Sequence, residues 1–262
     1  MKVKFVNCSV GYGKKIILEN LNIEFDLKDS VCLLGPNGIG KTTIFKTLLG
    51  HIPVIKGQLL IDDKPIDKYS PKELSRIIAY VPQAKDYSYQ FTVFDVVLMG
   101  RASFIPKFSS PRAEDVECVE EALKSLDILH MKDKVYSELS GGEQQIVLVA
   151  RALVQKAKLI IMDEPASNLD FSNQEKLLRC ITGLSKFNTG VFMSSHIPDH
   201  AFICSEKVLL VNKDKSYCFG CVDETITKEK LSYAYQTEIE IVRTDNIITC
   251  GLRKTEGKNE KN

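Results

Sequence analysis

The chain has 262 residues, 44% apolar and 26% charged, an ordinary globular mixture that excludes disordered and fibrous classes and suffices to bury a sizeable core. Its 35 Lys and Arg nearly cancel 34 Asp and Glu, so the formal charge is +1 and no broad basic footprint for nucleic acid exists. No apolar run approaches a membrane span, and the charged opening Met1-Lys2-Val3-Lys4-Phe5 lacks a signal-peptide apolar region, so a cytoplasmic location is expected.

In chain order, Val3–Val6 and Ile16–Phe25 read as paired strands. Val31-Cys32-Leu33-Leu34 is short and continuously apolar, the look of a central strand covered on both faces. It runs into a glycine-rich turn and a helix over Thr43–Leu49, closed by Gly50. Strands are expected at Gly57–Ile61 and Ile77–Val81, with a short helix at Pro71–Arg76 between them. From Thr92 to about Gln155 the pattern is mainly helical. Between Pro111 and Leu126 the apolar positions Ala113, Val116, Val119, Leu123 and Leu126 predict the inner face of a helix, with Glu114, Asp115, Glu117, Glu120 and Glu121 outside. Alternation then returns: strand Leu159–Met162, helix Gln174–Lys186, strand Val191–Ser194, helix Pro198–Cys204, strand Lys207–Val211, an order that implies parallel βαβ units. Lys254–Asn262 is polar and expected to fray. The eight cysteines read as free thiols. Only Cys218 and Cys221 have metal-like spacing, without a second pair or His partner, in a segment that alternates like a strand entering a turn.

Three motifs carry chemistry. Gly35-Pro-Asn-Gly-Ile-Gly-Lys-Thr-Thr43 fits G-x-x-x-x-G-K-[ST] between a buried strand and a helix. There backbone N–H groups turn inward on phosphate oxygens, Lys41 reaches the β- and γ-phosphates, and the Thr42 hydroxyl can ligate Mg²⁺. Leu159-Ile-Ile-Met-Asp-Glu-Pro165 delivers Asp163 and Glu164 at the carboxyl end of a strand, where open α/β sheets bind ligands, although acids at strand ends also serve as turn formers. Asp163 is placed to hold Mg²⁺ and Glu164 to deprotonate an attacking water. Leu139-Ser-Gly-Gly-Glu-Gln-Gln145 is a second turn that opens a helix (Glu143–Val154) and offers backbone amides to an oxyanion.

With that third motif the sequence resembles the ATP-binding cassette (ABC) ATPases, whose signature is L-S-G-G-[QE]. The resemblance covers roughly Val3 to Thr237. It implies a P-loop α/β core, a mostly parallel sheet with flanking helices, plus an antiparallel β subdomain and an α-helical signature subdomain. One cassette domain would span residues 1–238, with the helical subdomain at about 92–155 and a short C-terminal extension with a polar tail at 239–262. It also implies roles. Tyr12 would stack on adenine. Gly35, Asn37, Gly38, Gly40, Lys41, Thr42 and Thr43 would cradle the phosphates, and Thr42, Gln83 and Asp163 would hold Mg²⁺. Glu164, His196 and Gln83 would serve catalysis. Ser140, Gly141, Gly142 and Asp170 would meet the nucleotide held by a second copy, so that ATP closes a homodimer. Gln83 would transmit closure through the Ala84–Thr92 loop, with its aromatics Tyr87, Tyr89 and Phe91, to a separate membrane permease. Thr42, Asn168, Ile197 and Ile146 depart from commoner family residues without removing a group the reaction needs. The run Val96–Arg101, the Pro/Phe/Ser-rich loop and the acidic helix are similar to importer ATPases for iron-siderophore, haem and cobalamin. Those work at the cytoplasmic face of the membrane, with a substrate-binding protein beyond the permease. Molybdate or tungstate importers and exporters share much of this layout. A non-transport ATPase acting on DNA or ribosomes is disfavoured, because no heptad run or basic arm lies between Lys41 and Ser140.

Overall fold

The computed structural model describes residues 1–82, 90–106 and 109–252. β1 (Lys2–Tyr12) and β2 (Lys15–Asp26) form a long antiparallel hairpin, and β3 (Ser30–Leu34) leads through the glycine-rich turn into α1 (Lys41–Leu48). β4 (Lys56–Ile61) and β5 (Lys64–Pro65) are followed by α2 (Pro71–Ser75), capped by Ser70 and Glu73, and by β6 (Ile78–Val81). Three helices come next: α3 (Val93–Leu98), capped by Thr92 and Asp95, α4 (Ala113–Ser125) and α5 (Gly141–Leu153). The chain returns to the sheet through β7 (Leu159–Met162), α6 (Phe171–Gly183), β8 (Gly190–Ser195), α7 (Pro198–Cys204), β9 (Lys207–Val211) and β10 (Tyr217–Cys221). It closes with α8 (Val222–Thr225), α9 (Lys228–Tyr235) and a hairpin of β11 (Ile239–Arg243) and β12 (Ile248–Leu252).

The six-stranded sheet has the order β10-β9-β3-β8-β7-β6, parallel except for the edge strand β10, and a four-stranded antiparallel sheet has the order β2-β1-β4-β5. This is the expected α/β architecture with its antiparallel and helical parts. The continuous apolar runs are explained by burial on both faces. Val31 and Leu33 join a core between the two sheets, while Cys32 and Leu34 join the core under the helices; Leu159 and Ile161 against Ile160 and Met162 repeat the pattern. α1 lies in the first core through Ile44, Phe45 and Leu48. Phe192 anchors it, with ring centroids 5.0 Å from Phe45 and 5.2 Å from Phe25, both edge-on. The helix that follows the phosphate-type turn is thus clamped between two sheets.

Two details differ from the periodicity. β1 runs well past Val6, because bulges after Phe5 let it continue through Asn7, which holds a left-handed φ of 47°. On α4 the expected faces are partly exchanged: Val116 is exposed while Asp115 is buried. Asp115 is drawn inward by Arg101, whose Nε donates to it at 2.9 Å, and by the Arg112 N–H at 3.0 Å. Val119 and Leu123 are buried as expected. The eight cysteines are free thiols, and Cys218 and Cys221 lie three apart on β10, which turns them to opposite faces.

Candidate functional site

Parallel order alone gathers the site. β3, β8 and β7 are neighbours, so the segments leaving their carboxyl ends meet at one edge of the sheet. Thr42 comes after β3, Asp163 and Glu164 after β7, and Ser194 and His196 at the end of β8.

The contacts are close. Thr42 Oγ1 donates to Asp163 Oδ2 at 2.7 Å, and Ser194 Oγ donates to Asp163 Oδ1 at 2.7 Å. Ser194 Oγ also accepts from the Glu164 N–H at 2.9 Å. Lys41 is buried, with Nζ donating to the carbonyls of Gly35 (2.9 Å) and Pro36 (3.2 Å) and lying 3.1 Å from Glu164 Oε1. His196 Nδ1 is 3.4 Å from Glu164 Oε2 but makes no hydrogen bond there. An ammonium facing a carboxylate across the turn, and a hydroxyl sharing a proton with a second carboxylate, make a pocket with cationic and oxygen-donor halves. The first half suits phosphate oxygens and the second a hard divalent cation.

The backbone is held for this purpose. Gly40 has φ of 108°, and a Cβ there would lie 2.0 Å from Ile17 Cγ2, so the turn tolerates no side chain at that position. Glu164 is a non-glycine residue at φ of 46°, a conformation that costs about 1–2 kcal/mol. It is over-determined by Ser194 on its N–H and by Ser167 N (3.1 Å) and Oγ (2.7 Å) on its carbonyl. Asn168 also has a positive φ, of 64°, which an Asn accommodates better than most other residues. A cavity of about 140 Å³ opens beside Glu164 and His196, large enough for a few waters.

The second motif cluster is separate. Ser140 caps α5 in a reciprocal box: its Oγ accepts from the Glu143 N–H at 3.4 Å, while its N–H and Oγ donate to Glu143 Oε2 at 2.9 and 2.8 Å. These bonds hold the Glu143 carboxyl below its usual range. Gly142 packs on α6, where an added Cβ would meet Asn173 Cγ at 2.5 Å, and Asn173 Nδ2 donates to Asp170 Oδ2 at 2.9 Å. Ser140, Gly141, Gly142 and Asp170 therefore form one surface. Among the described residues, none of their hydrogen bonds reaches Lys41, Thr42, Asp163 or Glu164. Tyr12 stands exposed at the end of β1. Thr43 is buried in the first turn of α1 and accepts from Thr47 Oγ1 through its carbonyl. Asn37 lies in the turn itself. Gln83, Tyr87 and Tyr89 lie outside the described residues, as does the tail from 253; Gln145 of α5 donates to the Pro82 carbonyl at 3.3 Å, just before Gln83.

Ser194 was not anticipated, although it bridges both acids; the only signal was its place in the Ser194-Ser-His196 run. His200 and Tyr235 were also missed. His200 Nδ1 is 3.0 Å from Ser195 Oγ, and burial pushes the imidazole below its ordinary value, aided by His196 and opposed by Asp199.

Comparison with known proteins agrees with this geometry. A family model described as ABC transporter matches residues 18–167. An ABC transporter ATP-binding protein of Haemophilus influenzae, itself uncharacterised, is 39% identical over 92% of this chain and 92% of its own. A protein of Helicobacter pylori named as a probable iron chelatin transport ATP-binding protein is 34% identical, covering 94% of this chain and 97% of its own. A molybdate import ATP-binding protein of Haemophilus influenzae is 32% identical over 84% and 82%. Among solved structures, a chain from an inward-facing metal-chelate type ABC transporter superposes with a TM-score of 0.83 at 29% identity, covering 95% of both chains. The chain belongs to the ABC transporter ATP-binding family and is an ATPase of that class. Among the described residues no helix is long and apolar enough to cross a membrane.

Proposed function

We propose that this chain is the ATP-hydrolysing subunit of an importer that works from the cytoplasmic face of a membrane on a metal chelate of the iron-siderophore, haem or cobalamin type. One observation carries the mechanistic part: the cationic and acidic cluster around Lys41 and Glu164 sits apart from the Ser140–Gly142 surface of the same chain. A single copy holds both halves of a site but does not join them.

ATP would enter over Tyr12 and place its phosphates on the amides of Gly35, Asn37, Gly38, Gly40, Lys41, Thr42 and Thr43. Lys41 would exchange the Glu164 carboxylate for phosphate oxygens, freeing Glu164 to take a proton from water in the adjoining cavity. Thr42 and Asp163, already paired through oxygen, would hold Mg²⁺ with Gln83; the ion supplies charge neutralisation at the phosphates. His196 would orient the γ-phosphate. Ser140, Gly141, Gly142 and Asp170 of a second copy would complete the pocket, so that ATP stabilises the closed pair and ADP does not.

Docking to the permease fits a groove of about 670 Å³ between the loop after α1 (Gly50, His51), Tyr69 of the β4–α2 region and the end of α3 (Met99, Ser103). A short helix from a membrane subunit would lie there. The chelate cargo draws support from the Helicobacter pylori relative and the metal-chelate transporter, whereas the molybdate relative supports a second reading. The test is to purify the membrane protein that this chain captures, reconstitute the pair in vesicles, and measure ATP-dependent uptake of ferric siderophore, haem, cobalamin and molybdate. Chelate uptake supports the proposal; uptake of molybdate alone, or outward transport, overturns the cargo assignment.

A further inference from the structure

The His196 loop is held in an unexpected way. The imidazole Nδ1 is buried and 3.4 Å from Glu164 Oε2, yet among the described residues it makes no hydrogen bond, so side-chain bonding there does not fix the ring. The main chain is fixed instead. Tyr235 Oη donates to the His196 carbonyl at 3.0 Å. Tyr235 ends α9, which is anchored in the core by Leu231 and Ala234. Burial pushes the Tyr235 phenol well above its ordinary value, so it remains a neutral O–H donor at any working pH.

A second anchor lies beyond His196. Both oxygens of Asp199, in the first turn of α7, are taken by β12: Thr249 Oγ1 donates to Oδ2 at 2.7 Å, and the Cys250 N–H donates to Oδ1 at 2.8 Å. The guanidinium of Arg243 on β11 lies over Phe202 of α7 at 5.6 Å. α9 and the hairpin are themselves tied, the Ile239 N–H donating to Ser232 Oγ at 3.0 Å. One C-terminal unit thus grips the chain at His196 and again at Asp199 and Phe202.

From this geometry we propose that Tyr235 is a positioning residue for His196, and that α9 with the β11–β12 hairpin is a strap that sets the His196 loop for hydrolysis. The inference rests on the reading that His196 orients the γ-phosphate. Tyr235 touches no reacting atom; it acts by fixing the carbonyl from which the His196 ring is hung.

The test is steady-state ATPase of Tyr235→Phe, His196→Ala and the double variant, with KM for ATP, binding of a fluorescent ATP analogue and Tm measured in parallel. Tyr235→Phe keeps the ring packing and should lower kcat by about threefold to tenfold, the kinetic equivalent of one hydrogen bond, with KM and analogue binding unchanged. In the His196→Ala background the same change should have no further effect. Thr249→Val, at the second anchor, should lower kcat in the same direction without touching Tyr235. Wild-type kcat in Tyr235→Phe beside an impaired His196→Ala would overturn the strap alone. An equal loss in both backgrounds would also overturn it, by showing that Tyr235 acts elsewhere. Wild-type kcat in His196→Ala would overturn the reading of His196, and the strap with it.

Discussion

Replacing Arg101 by Met should damage the helical part of the molecule far more than its place in the short turn after α3 suggests. Arg101 is 5% exposed; its Nε donates to Asp115 Oδ1 at 2.9 Å, Nη1 donates to the Val154 carbonyl at 3.1 Å, and the guanidinium lies 4.1 Å from the Phe104 ring. It therefore fastens three segments: the end of α3, the start of α4 and the end of α5. The variant keeps the aliphatic volume but, among the described residues, leaves the buried Asp115 carboxylate with only the Arg112 N–H. Breaking one partner of a buried pair costs about 3–5 kcal/mol, which for a chain of this size lowers Tm by roughly 6–20 °C. Arg101→Met with Asp115→Leu should recover more than half of that loss, since a well-packed apolar pair can replace a buried ionic one. The sign with pH follows from Asp115, whose carboxyl is held below its ordinary value first by the Arg112 N–H and then by Arg101. Its contribution is complete above the ordinary carboxylate pKa, about 3.9, and is lost as pH falls through the lowered folded value. Thermal melts of the three proteins at pH 7, with the native and Asp115→Asn forms repeated near pH 3.5, check this. A Tm drop below about 2 °C in Arg101→Met, or no recovery in the double variant, would refute the assignment of Arg101 as a structural fastener.

His200→Gln tests a second titration. Burial depresses the His200 imidazole, so its share of stability is present above about pH 6.5 and lost as pH falls below it; the variant's urea midpoint should drop less between pH 7.5 and 5.5 than the native one. Gly142→Ala should cost about 1–3 kcal/mol by driving its Cβ into Asn173, and Asn173→Gly should relieve it, both read by thermal melting. Lys41→Ala should weaken ATP-analogue binding by at least about tenfold, because it removes a charge-assisted contact from the phosphate turn.

The sheet was legible because its strands are buried on both faces: Val31–Leu34 and Leu159–Met162 show uninterrupted apolar runs, and two of the three motifs sit at their carboxyl ends while the third opens α5. α4 was legible as a helix but not in its rotation, since a burial pattern cannot foresee that a distant Arg101 will draw Asp115 inward and leave Val116 outside. The β11–β12 hairpin was passed over as an extension; Ile239 and Ile241 alternate with polar residues, yet only Ile239 is fully buried and the outer positions are exposed, so the apolar signal is weak. Tyr235 and Ser194 escaped for the same reason: each acts through a hydrogen bond to a residue remote in sequence or on a neighbouring strand, which spacing does not encode.

The central claim, that Glu164 drives hydrolysis in a pocket shared by two copies, is tested most directly by one preparation of Glu164→Gln. ATPase turnover and light-scattering mass are measured with ATP and Mg²⁺, beside the native chain. Loss of a positioned general base predicts turnover reduced by about 10²–10⁴ with ATP still bound, and a mass that doubles only when nucleotide is present. Native turnover in this variant, or one unchanged monomeric mass with and without ATP, would contradict the account.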